Sequence, residues 1–71
     1  MDIGQAVAEL WRGQRVTRVG WNRPNLWVAL HQPDAVSLMT LPFLFLATPG
    51  GDFIPWTCSQ SDLLASDWEV V

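Results

Sequence analysis

The sequence contains no lysine, one cysteine and one histidine in 71 residues. A single cysteine, Cys58, excludes an intrachain disulfide. With His31 as the only imidazole, the donor set of a structural zinc site is missing as well. The four basic residues are Arg12, Arg15, Arg18 and Arg23, all in the first third of the chain, against seven acidic ones, and the net charge is −3. That balance argues against general affinity for DNA or RNA, but four guanidinium groups remain for a small anion. No apolar run is long and uncharged enough to span a membrane. Met1-Asp2 opens without the basic stretch of a signal peptide, so a cytoplasmic location is expected. The length leaves room for one domain, residues 1–71, and a chain this short is marginal alone. Without a disulfide or a metal it needs dense aromatic packing or a partner subunit. With 49% hydrophobic residues and five tryptophans, it has the material for both.

Local patterns give an α+β fold. Asp2 stands where a helix N-cap belongs, and Gln5 follows at capping-box spacing. Ile3, Val7, Leu10 and Trp11 form one apolar stripe, widened by Ala6, and Gly13 supplies a left-handed residue to end the helix. A short strand is predicted from Gln14 to about Val19. Gly20, Asn22, Pro24 and Asn25 then break the chain. Further strands are predicted over Leu26–His31, Pro42–Thr48, Phe53–Thr57 and Asp67–Val71. A loop from Gln32 to Thr40 separates the second from the third, and "PGGD" turns the third into the fourth. Ser59 and Asp62 repeat the cap spacing before Leu63-Leu64, which predicts a short helical turn before the last strand. The expectation is an N-terminal helix packed on a small antiparallel sheet of four to five strands.

The strands do not alternate cleanly between apolar and polar. In "LWVAL", Leu26, Val28 and Leu30 face one way, and Trp27 and Ala29 the other. In "LPFLFLA", Phe43 and Phe45 oppose Leu44 and Leu46. An antiparallel sheet with one solvated face keeps that face polar. Here both faces are apolar and only one useful helix exists, so a second copy of the sheet is the simplest cover.

"VTRVGWN", "LPFLFLATPGGDFIPW" and "SQSDLLASDWEVV", in that order behind a short amphipathic helix, resemble the Thoeris anti-defence protein 2 family of small phage and prophage proteins. The resemblance covers residues 3–31 and 41–71, and the segment between Gln32 and Thr40 departs from it by being short. It implies a non-catalytic sponge for cyclic ADP-ribose-type signals made by bacterial TIR-domain proteins, in some members also for cyclic dinucleotides. It further implies a small α+β unit with an antiparallel sheet, assembled as homotetramers with ligand sites at subunit interfaces. The residues themselves leave the homo-oligomer open between dimer and tetramer, and no cofactor is expected.

A cyclic nucleotide offers a base to stack, hydroxyls and phosphates. Trp21, at a turn, is the best stacking candidate, a contact worth about 1–3 kcal/mol per base; the alternative is a core or interface indole. Asn22 can bond a base or ribose edge, or be a turn residue only. Ser59, Gln60 and Asp62 stand at the start of the helical turn, where capping alone accounts for Ser59 and Gln60 is least explained by the fold. Trp56 and Trp68 both incline to the core over a ligand platform, and Trp56 stays among the ligand-binding candidates. Trp11 and Trp27 are assigned to the core. Arg18 and Arg23 flank the turn and match phosphate in a bidentate fork, whereas Arg12 and Arg15 read as solvated surface. Cys58 reads as a small buried hydrophobe. No local signature joins Cys58 and His31 into a nucleophile and base, so no enzyme activity is expected. A protein-interaction module using an exposed aromatic sheet face is the alternative function.

Overall fold

Helix α1, Ile3–Trp11, starts on a reciprocal cap. The Asp2 carboxylate accepts from the Gln5 amide at 2.8 Å, and the Gln5 side chain accepts from the Asp2 amide at 2.9 Å. Two otherwise unpaired N–H groups are satisfied in this way. Gly13, at φ +86°, ends the helix in a conformation that glycine adopts at little steric cost. The computed structural model describes all residues, Met1–Val71. After α1 come β1 (Val16–Arg18), a 3₁₀ turn (Val19–Trp21), β2 (Trp27–His31), β3 (Phe43–Ala47), β4 (Phe53–Pro55), the one-turn helix α2 (Gln60–Leu63) and β5 (Trp68–Val70).

The strands form one antiparallel sheet in the order β4-β3-β2-β1-β5. Consecutive pairing builds β1 to β4, and β5 returns to the far edge beside β1. Gly51, at φ +91°, closes the β3–β4 hairpin, with Thr48 and Asp52 bonded across its base at 2.8 Å. Each strand is shorter than predicted by one to three residues; the first begins only at Val16 and ends at Arg18, where Val19 enters the 3₁₀ turn.

Register sorts the side chains. Val16 stands opposite Val28 and Val70, and Arg18 opposite Trp68. The face that carries Val16, Val28 and Trp68 packs against Ala6 and Leu10 of α1, with Ile3, Trp21, Leu30, Leu44, Leu46 and Trp56 around this core. The other face carries Thr17, Trp27, Ala29, His31, Phe43, Phe45, Phe53, Pro55 and Glu69, by alternation and pairing. No helix covers it. Trp27, Phe45 and Phe53 make ring contacts with centroids 5.3–6.0 Å apart, and Phe53 remains 67% exposed. A hollow of about 400 Å³ lies between His31, Phe43, Phe45, Phe53, Ile54 and Pro55.

The accessible surface is 4,920 Å², whereas a compact monomer of this mass exposes about 4,400–4,500 Å². The excess fits the bare face and the Pro33–Pro42 connection, where Val36 and Leu38 are more than 90% exposed.

Three core assignments need correction. Trp11 is 55% exposed. It is one residue beyond buried Leu10, about 100° around the helix, so the stripe outruns the face that touches the sheet. Trp27 belongs to the open face and is half-buried, because the Val16–Val28 pairing sends its neighbour Val28 into the core instead. Cys58 is half-buried, just outside α2.

Candidate functional site

Arg18 ends β1 with its guanidinium turned toward the return strand. Its Nε donates to Asp67 Oδ1 at 2.7 Å, and its Nη1 donates to Asp62 Oδ1 at 2.9 Å. Asp62 Oδ1 also accepts from Trp21 Nε1 at 3.0 Å. Asp67 Oδ2 accepts from the Gly20 amide at 2.7 Å. One guanidinium and two carboxylates therefore tie the 3₁₀ turn to α2 and to the approach to β5.

Ser59 makes this arrangement possible locally. Its hydroxyl accepts from the Asp62 amide at 3.1 Å and caps α2, which frees the Asp62 carboxylate to turn inward. The Asp62 carbonyl accepts from Trp68 Nε1 at 3.0 Å. Trp21, Trp56 and Trp68 meet edge to face, with centroids 5.3–6.5 Å apart, an arrangement that suits the ring quadrupoles.

The charges are matched to this geometry. Burial pushes the Asp62 carboxyl up, but hydrogen bonds from Arg18 and Trp21, with the Arg18 charge, outweigh it and hold the group below the usual carboxylate range. Asp67 is lowered chiefly by its hydrogen bonds from Arg18, with the Gly20 amide contributing. Arg18 is raised first by Asp67 and then by Asp62. Burial, and then the nearby Asp62 charge, push the Cys58 thiol up, away from thiolate chemistry.

Beyond the turn, Asn22 lies in the left-handed region at φ +50°, and Asn25 at φ +63°. The loop they shape borders two adjoining hollows. One, of about 250 Å³, is lined by Arg18, Val19, Asn22, Arg23, Pro24 and neighbours. The second, of about 350 Å³, is lined by Arg15, Asn25, Leu26, Trp27 and others. Thr17, Arg23, Pro24 and Glu69 belong to both, so the two are one groove.

The family model described as the Thoeris anti-defense 2-like domain matches residues 1–71. The chain belongs to this family. A curated relative, Thoeris anti-defense 2 of Bacillus phage SP01, is 31% identical over 84 aligned positions, covering 100% of this chain and 94% of the phage protein. Those 84 positions exceed the length of this chain, so the alignment includes gaps in it. Membership supports an anti-defence role.

In this family member the predicted site residues fall into a network and a groove that Arg18 borders as well, with Gln60 apart from both. Arg18, Trp21, Ser59 and Asp62 converge on one network, with Trp56 packed against Trp21. Asn22 and Arg23 face the groove instead. Gln60 is exposed on α2 and its side chain makes no hydrogen bond within the chain. Sequence reasoning missed Asp67, which is separated from Arg18 by 49 residues, and it left Arg15 on the surface. Arg15 stands 4.7 Å over the Trp27 ring. The alternation of "QRVTRV" carried a faint signal, because Arg15 and Thr17 flank the core residue Val16. His31 Nε2 lies 3.4 Å from Ser37 Oγ, whose hydroxyl donates to the Met39 carbonyl at 3.0 Å. No group of three or more His, Cys, Asp or Glu side chains is placed to hold a metal ion, and no helix is long and apolar enough to cross a membrane.

Proposed function

We propose that this chain is a phage or prophage anti-defence sponge that binds cyclic ADP-ribose-like immune signals, and cyclic di- or oligonucleotides as a second class, without cleaving them. Held in this form in the bacterial cytoplasm, the signal does not reach its effector. The observation that carries the reading is the family match over the whole chain.

Several features of the geometry support it. Asn22 and Arg23 stand beside a groove whose hollows fall near the lower end of the range for small-molecule sites, about 300–1,000 Å³. The Arg18–Asp62–Trp21 network fixes the turn that displays them, and fixed donors bind with less loss of entropy. Trp21 is half-buried and anchored at its Nε1, so the uncovered part of its ring is a rigid stacking surface, flanked by Trp56. Ser59 and Asp62 act from behind it, by capping α2 and anchoring the indole, and the exposed Gln60 amide on the same helical turn is free to bond a base edge. Capture without turnover accords with a Ser37 hydroxyl committed to a backbone carbonyl and a Cys58 thiol raised away from thiolate.

The bare aromatic face supports homo-oligomerisation as a dimer or tetramer, with crevices between protomers completing the pockets. It also favours the second reading, a protein-interaction module. Calorimetric titration with cyclic ADP-ribose and cyclic dinucleotides separates the two. Stoichiometric heat, with intact ligand recovered by chromatography after heat denaturation, supports the sponge. Absence of heat for the whole class selects the interaction module, and a cleaved product selects a hydrolase.

A further inference from the structure

Ion pairing divides the arginines. Arg12 pairs with Glu9 on α1, and Arg18 pairs with Asp62 and Asp67. Arg15 and Arg23 have no carboxylate within ion-pair distance, although the chain carries seven acidic residues and a net charge of −3. Both unpaired arginines line the same groove. They reach it from different elements, Arg15 from just before β1 and Arg23 from the Asn22–Leu26 loop.

The Arg15 side chain and the loop backbone that carries Arg23 are both constrained. Arg15 lies over the Trp27 ring, a contact that orients a guanidinium without occupying its donors in hydrogen bonds. Arg23 is followed by Pro24 and bracketed by Asn22 and Asn25 at positive φ. Thr17, on the groove floor, is tied to that loop by a 2.6 Å bond from its hydroxyl to the Leu26 carbonyl. Two forks of five donors each suit an acceptor-rich ligand such as a phosphate. Glu69 lines both hollows. A carboxylate there disfavours a bare anion but accepts from a sugar hydroxyl, so the groove discriminates in favour of a phosphate carried on a polyhydroxylated body.

We propose that this groove is a diphosphate subsite, in which Arg15 and Arg23 hold the phosphoryl oxygens of a nucleotide-type ligand and Glu69 accepts from one of its hydroxyls. The assignment to a nucleotide rests on the sponge reading; the arginine pair as a diphosphate site stands apart from it. It adds Arg15 and Glu69 to the ligand contacts and leaves Arg18 in the scaffold.

The test uses two probes, inorganic pyrophosphate followed by phosphorus NMR and cyclic ADP-ribose followed by calorimetry, on the intact protein and on Arg15→Ala, Arg23→Ala and Glu69→Gln. Arg12→Ala is the control, since it removes the same charge away from the groove. Circular dichroism establishes that each variant is folded, and Arg15→Lys and Arg23→Lys replace any alanine variant that is not. Loss of one charge-assisted contact is expected to weaken pyrophosphate about tenfold or more, with Arg12→Ala unchanged and Glu69→Gln weakening cyclic ADP-ribose while tightening pyrophosphate. Equal pyrophosphate binding by the Arg15 and Arg23 variants and the intact protein overturns the proposal, as does an equal loss in Arg12→Ala. If the intact protein binds cyclic ADP-ribose and neither arginine matters, the subsite falls and the sponge reading stands. If it binds pyrophosphate through both arginines and no cyclic nucleotide, the arginine pair stands, and both the sponge reading and the Glu69 assignment fall. Failure to bind either probe overturns the subsite, and failure to bind the cyclic dinucleotides as well overturns the sponge reading.

Discussion

Replacing Trp21 by phenylalanine removes one donor while keeping an aromatic ring. The donor is Nε1, which gives its hydrogen to Asp62 Oδ1 at 3.0 Å. A hydrogen bond to an ionised acceptor contributes about 1.5–3 kcal/mol. Asp62 keeps its bond from Arg18 at 2.9 Å, so the carboxylate is not orphaned and the cost belongs near the lower end, about 2 kcal/mol. The smaller ring loosens the edge contacts with Trp56 and Trp68, each worth about 0.5–1.5 kcal/mol when whole. For a domain of this size each kcal/mol shifts Tm by about 4–8 °C, so Trp21→Phe is expected to melt about 8–16 °C below the parent at equal protein concentration. Thermal unfolding by near-ultraviolet circular dichroism measures it, with urea unfolding as a check. A double-mutant cycle isolates the bond: in an Asp62→Ala background the Trp21→Phe cost is expected to drop by most of that 2 kcal/mol, or about 1.5. An unchanged Tm in the single variant, or an undiminished cost in the double one, refutes the claim that this bond fixes the turn.

Leu10→Ala empties a site that is 2% exposed beneath Val16 and Val28 and is expected to cost about 2–5 kcal/mol, read in urea. Trp11→Ala, one position on, is expected to change stability far less, because that indole is mostly in solvent; an equal loss returns Trp11 to the core. Asp62 and Asp67 both titrate below the usual carboxylate range, so their contribution is complete above the unfolded value of about 3.9. It is lost as pH falls through their lower folded values, and acid titration of Tm should show a decline below about pH 4 that Asp62→Asn makes shallower. Phe53→Asp charges the open face where Phe53 is 67% exposed. It is expected to shift sedimentation toward single chains, whereas a parent protein that already sediments as one stable chain contradicts the sister-copy interface.

Features specified by near neighbours were legible in the sequence. The Asp2–Gln5 cap, the Gly13 helix end and the glycine hairpin each depend on residues within four positions of one another. The two apolar faces were legible too, because alternation along β2 and β3 is visible without knowing their partners. What escaped depends on register and on the return of β5. Arg18 meets Asp62 and Asp67 across 44 and 49 residues, and only the pairing of Arg18 with Trp68 brings them together. The same holds for Arg15. The Val16–Val28 register sets it diagonal to Trp27, near enough to cover the ring, and this makes an apparent surface charge part of a groove. Asp62 was legible as a cap-spaced residue, but Ser59 alone makes that cap, and its carboxylate serves the interior.

The proposed sponge must hold a cyclic nucleotide signal intact. Calorimetric titration of the purified protein with cyclic ADP-ribose, followed by chromatography of the ligand released on heating, tests it most directly. Saturable heat at a fixed ratio of ligand to chain and recovery of the unaltered ring are expected. No heat across cyclic ADP-ribose and the cyclic dinucleotides, or recovery of an opened product, contradicts it.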